Sequence, residues 1–170
     1  GLKIDPFGNG NLELTRSELF KSLDSLQVGF ATIGRDRQLF LERHGRFAPH
    51  QAIEIAKAVE HHHPGWIEEP CRPDDPGALE MVARHTSIPI ATGERYYTAS
   101  QFRDLFPRRV VNIIQPDINQ CGGFLEVKKI CSTAETYSIS VAPHNVGGII
   151  STTAALHLMA TLSNGKILEH

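Results

Sequence analysis

Short apolar stretches alternate with longer amphipathic stretches along the whole chain. The apolar stretches lie at residues 2–4, 38–41, 65–67, 88–91, 110–114, 139–142 and 166–168. Their brevity and their content of β-branched residues are typical of buried parallel strands. The regular alternation with short connections therefore predicts an α/β fold whose parallel sheet has about seven strands joined by right-handed crossovers.

The intervening stretches carry apolar residues at helical spacing. Thr15 and Glu18 form a capping-box signature, and leucines follow at positions 19, 23 and 26. Asp75 and Pro76 match a helix cap followed by proline in the first turn. Further helices are predicted from the patterns at residues 52–59, 127–137 and about 150–161, with a weaker pattern at 100–105. Most of the predicted strands are thus followed by a helix.

An acidic residue or a histidine follows each of six successive predicted strands. These residues are Glu42, Glu68, Glu94, Asp117, His144 and Glu169, and they recur about every 25 residues, the length of one strand–helix unit. In a closed barrel the carboxyl ends of the strands meet at one mouth, whereas the outer strands of an open sheet would be too far apart to share a site. A single glutamate at a strand end is usually a surface residue or a helix cap. Six such residues at the spacing of one strand–helix unit favour a partial TIM-type (β/α) barrel.

The chemistry of these residues suits a metal and an acid–base pair. Glu42, Glu68 and Glu94 come from consecutive strands, and oxygen-only ligands of high charge suit a hard divalent cation such as Mg²⁺. Asp117 beside His144 would orient the imidazole and strengthen it as a general base. His44 lies two positions after Glu42, so both side chains point to the same side of the strand.

Composition and charge exclude several classes of protein. The 170 residues carry a formal net charge of −2, with 41% hydrophobic and 21% charged residues, which is typical of a globular domain. The near-neutral balance argues against a nucleic-acid partner, and no apolar run is long enough for a membrane span. Three cysteines without metal-type spacing predict a reducing, cytoplasmic location.

Several motifs carry a resemblance to a known family. They are HGRF at 44–47, WIEEP at 66–70, IPIATGER at 88–95, IQPD at 114–117, GG at 122–123, APHN at 142–145 and ILE at 167–169. Together they resemble the mandelate racemase branch of the enolase superfamily, and most closely its acid-sugar dehydratases of the galactonate dehydratase type. The similarity covers essentially the whole chain.

The resemblance implies a role for each site residue. Glu42, Glu68 and Glu94 would bind Mg²⁺, and His144 paired with Asp117 would abstract the α-proton of a sugar acid. His44 would act as the general acid for the leaving hydroxyl, and Glu169 would hydrogen-bond an oxygen of the enediolate. The implied product is a 2-keto-3-deoxy acid. The predicted substrate-binding residues are Lys3, Arg46, Arg95 and Asn145, although either arginine could instead pair with neighbouring acids.

Two departures from the family pattern bear on the reaction. The first metal ligand is commonly aspartate in this branch, and here it is Glu42. The racemases carry a Lys-x-Lys pair where this chain has Lys3-Ile4-Asp5, which disfavours racemisation through the second lysine. A hydroxy-acid racemase or epimerase and an inactive truncated remnant stay open as alternatives.

The resemblance also implies an organisation for the protein. Residues 1–170 would form a C-terminal catalytic barrel domain truncated at both ends, without the N-terminal capping domain and the first strand. The full-length protein would be a homo-oligomer acting on a small-molecule acid sugar, with neither nucleic acid nor membrane as partner. His170 would be either native or the edge of a tag.

Overall fold

Strands and helices alternate strictly through the chain. The computed structural model describes residues 1–8, 12–34 and 36–170. The strands are β1 Leu2–Ile4, β2 Leu39–Glu42, β3 Trp66–Glu68, β4 Ile90–Thr92, β5 Ile113–Ile114 and β6 Ser140–Val141. The helices are α1 Arg16–Ile33, α2 Pro49–Val59, α3 Pro76–Ala83, α4 Ala99–Leu105, α5 Phe124–Thr136 and α6 Ile149–Met159. Short 3₁₀ turns follow α2 at Glu60–His62 and α4 at Phe106–Arg108.

The strands form one six-stranded parallel sheet in the order β1-β2-β3-β4-β5-β6. Neighbours in the sheet are therefore also neighbours in sequence, as successive strand–helix units require. Ile4 pairs with Leu41, and Glu42 pairs with Glu68. This register sets the last residues of β2 and β3 side by side, and it confirms the predicted parallel α/β architecture.

Residues 1–90 form the first of two compact units. Helix α1 begins with the predicted capping box, in which Thr15 Oγ1 accepts from Glu18 N at 3.3 Å and Glu18 Oε2 accepts from Thr15 N at 2.8 Å. The strand β2 is buried at every position. The rings of Phe40 and Trp66 stack with centroids 3.8 Å apart, which fixes the start of β3 against β2.

Residues 91–170 form the second unit. Helix α5 buries Val127 and Ile130 on one face, as its spacing predicts. Gly93 follows β4 with φ +133°, and a Cβ there would lie 2.7 Å from Cε1 of Phe102. Only glycine combines this backbone angle with this close approach, so residue 93 fixes the path of the chain into Glu94.

The stretch at 166–168 differs from the predicted seventh strand. The structure places no strand there among the described residues; instead Gly165 pairs with Val141 in an isolated parallel bridge. Val141 N donates to Asn164 O at 2.9 Å, and Lys166 N donates to Val141 O at 2.8 Å. The chain therefore runs beside β6 for a single bridge, too short for a strand. None of the helices in the described residues could cross a membrane.

Candidate active site

The ends of β2 and β3 place two buried carboxylates beside a lysine in the first unit. Glu42 and Glu68 are 2% and 0% exposed. Lys3 Nζ, from β1, lies 3.3 Å from Oε2 of Glu42 and 2.8 Å from Oε1 of Glu68. Trp66 Nε1 donates to Oε2 of Glu68 at 3.0 Å. Two buried acids thus share one partly exposed base.

Burial, together with the neighbouring Glu42, perturbs the titration of Glu68. Burial raises the pKa of the Glu68 carboxyl to about 7, and a hydrogen bond and charge repulsion from Glu42 act in the same direction, while Lys3 opposes them. Placing charge on both carboxylates is therefore costly with Lys3 as the nearby cation. A divalent ion would relieve that cost, and the oxygen-only donor set suits a hard ion.

Backbone donors fix the orientation of Glu42. Its Oε1 accepts from Arg43 N at 2.8 Å and from His44 N at 2.6 Å. These contacts need a sharp turn directly after β2, where His44 has φ +53° and Gly45 has φ +63°. A histidine in the left-handed region is uncommon, so this turn carries backbone strain beside the carboxylate.

A second carboxylate holds the ring of His44. Its Nδ1 lies 2.8 Å from Oδ2 of Asp5, and Nη2 of Arg46 lies 2.6 Å from the same oxygen. Asp5 is absent from the residues predicted from sequence. The signal that could have found it is the Lys-x-Asp spacing, because Lys3 and Asp5 fall on the same face of an extended segment.

The second unit holds a partly buried histidine between two carboxylates. His144 follows β6, and its side chain is 10% exposed. Its Nδ1 lies 2.8 Å from Oδ2 of Asp117, which follows β5, and its Nε2 lies 3.6 Å from Oε2 of Glu94, which follows β4. Asp117 Oδ1 also accepts from Asn119 N at 2.7 Å. The imidazole is therefore held at Nδ1, and its Nε2 points toward a buried acid.

The remaining predicted residues of the second unit lie near these groups in sequence. Asn145 Nδ2 donates to Glu169 O at 3.0 Å, and Asn145 N donates to Glu169 Oε2 at 3.3 Å. Arg95 Nε lies 3.3 Å from Oε1 of Glu94, and its side chain is 42% exposed. The structure thus links Asn145 to Glu169 and Arg95 to Glu94. Their roles toward a substrate stay predictions.

Comparison with known families gives a match over nearly the whole chain. Residues 3–170 match the family described as "Enolase C-terminal domain-like". A D-gluconate/D-galactonate dehydratase of Picrophilus torridus is 32% identical over 98% of this chain and 43% of that protein. A D-galactonate dehydratase of Ralstonia pickettii is 32% identical over 95% of this chain and 43% of that protein.

Solved structures give the same result. A mandelate racemase/muconate lactonizing enzyme-like protein from Rubrobacter xylanophilus superposes with a TM-score of 0.93 at 35% identity, covering 99% of this chain and 45% of that one. A member of the enolase superfamily from Salmonella Typhimurium gives 0.94 at 33% identity, covering 99% and 45%. These matches confirm the predicted fold class. The chain spans less than half the length of each of these relatives.

Proposed function

Because the chain belongs to the enolase C-terminal domain-like family, we propose that it carries out Mg²⁺-dependent dehydration of an aldonate-type sugar acid. The observation that carries the proposal is the geometry of His144, which is held at Nδ1 by Asp117 with Nε2 facing Glu94. An oriented imidazole is what abstraction of a weakly acidic proton requires. The names of the gluconate and galactonate dehydratases that match the chain support the choice of substrate class.

The proposed metal ligands are three buried carboxylates: Glu42 and Glu68, which end β2 and β3, and Glu94, which follows β4. The raised pKa of Glu68 supports the assignment, because it reflects burial of a carboxyl group beside Glu42, and a bound cation would offset the cost of ionising it. When bound, the ion would supply Lewis-acid stabilisation of the charge that develops on the substrate carboxylate. Lys3, beside Glu42 and Glu68, is proposed to contribute further positive charge.

The proton chemistry is assigned to the two histidines. Nε2 of His144 would take the α-proton, while Asp117 holds the Nδ1 proton in place. His44 would give a proton to the β-hydroxyl as its C–O bond breaks, so that water leaves and the resulting enol tautomerises to a 2-keto-3-deoxy acid. Glu169 and Asn145 are proposed to hydrogen-bond the substrate oxygens, and Arg46 and Arg95 to bind its polar groups.

A racemase or epimerase of the same family is the second candidate. The chain offers a histidine in each unit, His44 and His144, and two bases on opposite faces of a substrate are what inversion would need. Solvent-deuterium incorporation at the α-carbon without loss of water would favour this candidate over dehydration. Formation of a keto acid with consumption of the hydroxy acid would exclude it as the main reaction.

A screen of aldonates with Mg²⁺ tests the proposal through keto-acid formation. His144→Asn is expected to lower kcat by about 10²- to 10⁴-fold, the usual contribution of a general base. His50→Asn is the matched control, since His50 pairs with Glu13 at 3.0 Å on the surface and should leave turnover unchanged. Equal activity of wild type and His144→Asn would contradict the assignment of the base.

Location and assembly complete the proposal. All three cysteines are buried and free, which supports a reducing, cytoplasmic location. A homo-oligomeric full-length protein is proposed from the family resemblance alone.

A further inference from the structure

Three nitrogen atoms converge on the carboxylate of Asp5. The backbone N of Phe7 donates to Oδ1 at 3.0 Å, and Nη2 of Arg46 donates to Oδ2 at 2.6 Å. Nδ1 of His44 lies 2.8 Å from the same Oδ2. The side chains of Asp5 and Arg46 are each 21% exposed.

The chemistry of these neighbours decides which ring nitrogen of His44 carries the proton. A backbone N–H and a guanidinium can only donate, so Asp5 must offer acceptor oxygens to Phe7 and Arg46. An ionised carboxylate has no proton of its own to give to Nδ1 of His44. The contact at 2.8 Å is therefore a hydrogen bond only if Nδ1 is the donor. Nε2 is left free to exchange a proton with another group.

Arg46 is itself held in place by hydrogen bonds, so it restricts the movement of Asp5. Its Nε donates to Arg43 O at 3.2 Å, its Nη1 donates to Gly8 O, and its Nη2 donates to Asp5. The guanidinium also lies over the ring of Phe47, 5.7 Å from the centroid. Because each guanidinium nitrogen is engaged, Arg46 helps to fix the position of the Asp5 carboxylate.

We infer that Asp5 is a positioning residue that holds His44 in the Nδ1–H tautomer and presents Nε2 as the atom that exchanges a proton with substrate. The arrangement repeats in the first unit what Asp117 does for His144 in the second. It matters more for His44, whose side chain is 44% exposed and has little packing to hold it. The catalytic part of the inference rests on the proposed dehydratase function, whereas the tautomer does not.

The tautomer can be read directly from the ¹⁵N shifts of the His44 ring in the 170-residue chain. Spectra are recorded at rising pH until the ring shifts stop changing, so that the neutral ring is observed. The expected result in the wild type is a protonated-type shift for Nδ1 and an unprotonated-type shift for Nε2. A wild-type ring with the proton on Nε2 would overturn the inference without any variant.

Asp5→Asn supplies the second arm. If the asparagine oxygen accepts from Phe7 N, its NH2 group faces Nδ1 of His44 and can only donate to it. If the oxygen accepts from Arg46 instead, it can still accept from Nδ1 but as a neutral amide, which is a weaker acceptor than a carboxylate. In either orientation the Nδ1–H tautomer should lose part of its advantage. The ¹⁵N shifts of His44 are expected to move toward those of a mixture or of the Nε2–H form. Unchanged His44 shifts in a folded Asp5→Asn protein would overturn the inference.

Two controls separate local from general effects. Asp74→Asn removes an exposed carboxylate that pairs with Arg72 at 2.7 Å, and it should leave the His44 shifts unchanged. Asp117→Asn should move the shifts of His144 and leave those of His44 in place. A His44 response to Asp117→Asn equal to its response to Asp5→Asn would contradict a local role for Asp5.

Kinetics then test the link to the proposed reaction. Asp5→Asn is expected to lower kcat about ten- to a hundredfold with little change in KM, because it misorients a proton donor without removing a binding contact. If Asp5→Asn lost kcat while its His44 shifts stayed like those of the wild type, positioning of His44 could not be the cause. Absence of turnover in the wild type would count against the proposed function and leave the tautomer measurement intact.

Discussion

Removing the charge on Glu68 should change how the stability of the chain depends on pH. The carboxyl is fully buried, and its pKa is raised from 4.5 to about 7, first by burial and then by Glu42. Well below pH 4.5, Glu68 is protonated in both the folded and the unfolded chain, so it does not lower the unfolding free energy. As the pH rises toward 7, the unfolded chain releases this proton while the folded chain retains it. The stability present at low pH is therefore lost as the pH rises through about 7.

The size of the effect follows from the two pKa values. At about 1.4 kcal/mol per pKa unit, the rise from 4.5 to about 7 corresponds to about 3 kcal/mol of unfolding free energy. The isosteric variant Glu68→Gln cannot ionise and should escape this loss. Without metal, the unfolding free energy of Glu68→Gln minus that of the wild type is therefore expected to rise by up to about 3 kcal/mol between pH 4 and pH 8.

Urea unfolding followed by circular dichroism, in chelator and across pH 4 to 8, measures this difference. Other titrating groups are common to both proteins, so they cancel when the two curves are subtracted. Glu126→Gln is a matched control, because Glu126 is a surface residue that pairs with Lys129 and should follow the wild type at every pH. A wild-type minus Glu68→Gln difference that stays constant with pH would refute the reasoning. At pH 8, added Mg²⁺ should stabilise the wild type more than the variant.

Three further predictions follow from single residues. Gly93→Ala should lower the unfolding free energy by about 1–3 kcal/mol, because the added Cβ would meet Phe102 and φ is positive at residue 93. Gly148→Ala is the control and should cost less, because a Cβ at residue 148 has open space. Equal losses in the two variants would contradict the clash with Phe102. Thr15→Ala should cost about 1 kcal/mol through loss of the α1 cap, read from thermal or urea unfolding, and no loss would show that the cap contributes nothing. Glu94→Gln should weaken Mg²⁺ binding at least about tenfold by calorimetry, and unchanged affinity would contradict its place in the metal site.

Features set by neighbours in sequence were predictable. The capping box of Thr15 and Glu18 needs only a four-residue motif, and the cap of α3 at Asp75, which accepts from Ala78 N at 2.9 Å, needs another. The positions of Glu42 and Glu68 at strand ends followed from the length of one strand–helix unit. Such local rules act within a few residues, so sequence pattern carries them.

Features set by distant parts of the chain were harder to predict. Asp5 meets His44 and Arg46 across 39 and 41 residues, and the register of β1 against β2 decides that contact. The left-handed backbone of His44 was also not predictable from the sequence, because glycine is the residue that normally indicates a positive φ. The stretch at 166–168 has the apolar pattern of a strand, and the pattern alone does not say that its pairing with Val141 is limited to one bridge.

Trp66 gives this protein an internal optical reporter. It is the sole tryptophan of the sequence, so its emission comes from one known place. Its indole donates to Glu68 and stacks on Phe40, which ties the fluorophore to a carboxylate proposed to gain or lose charge. Proton release, ion capture and separation of the first strands should each alter the same emission band, so a fluorimeter alone could follow the state of this cluster in real time.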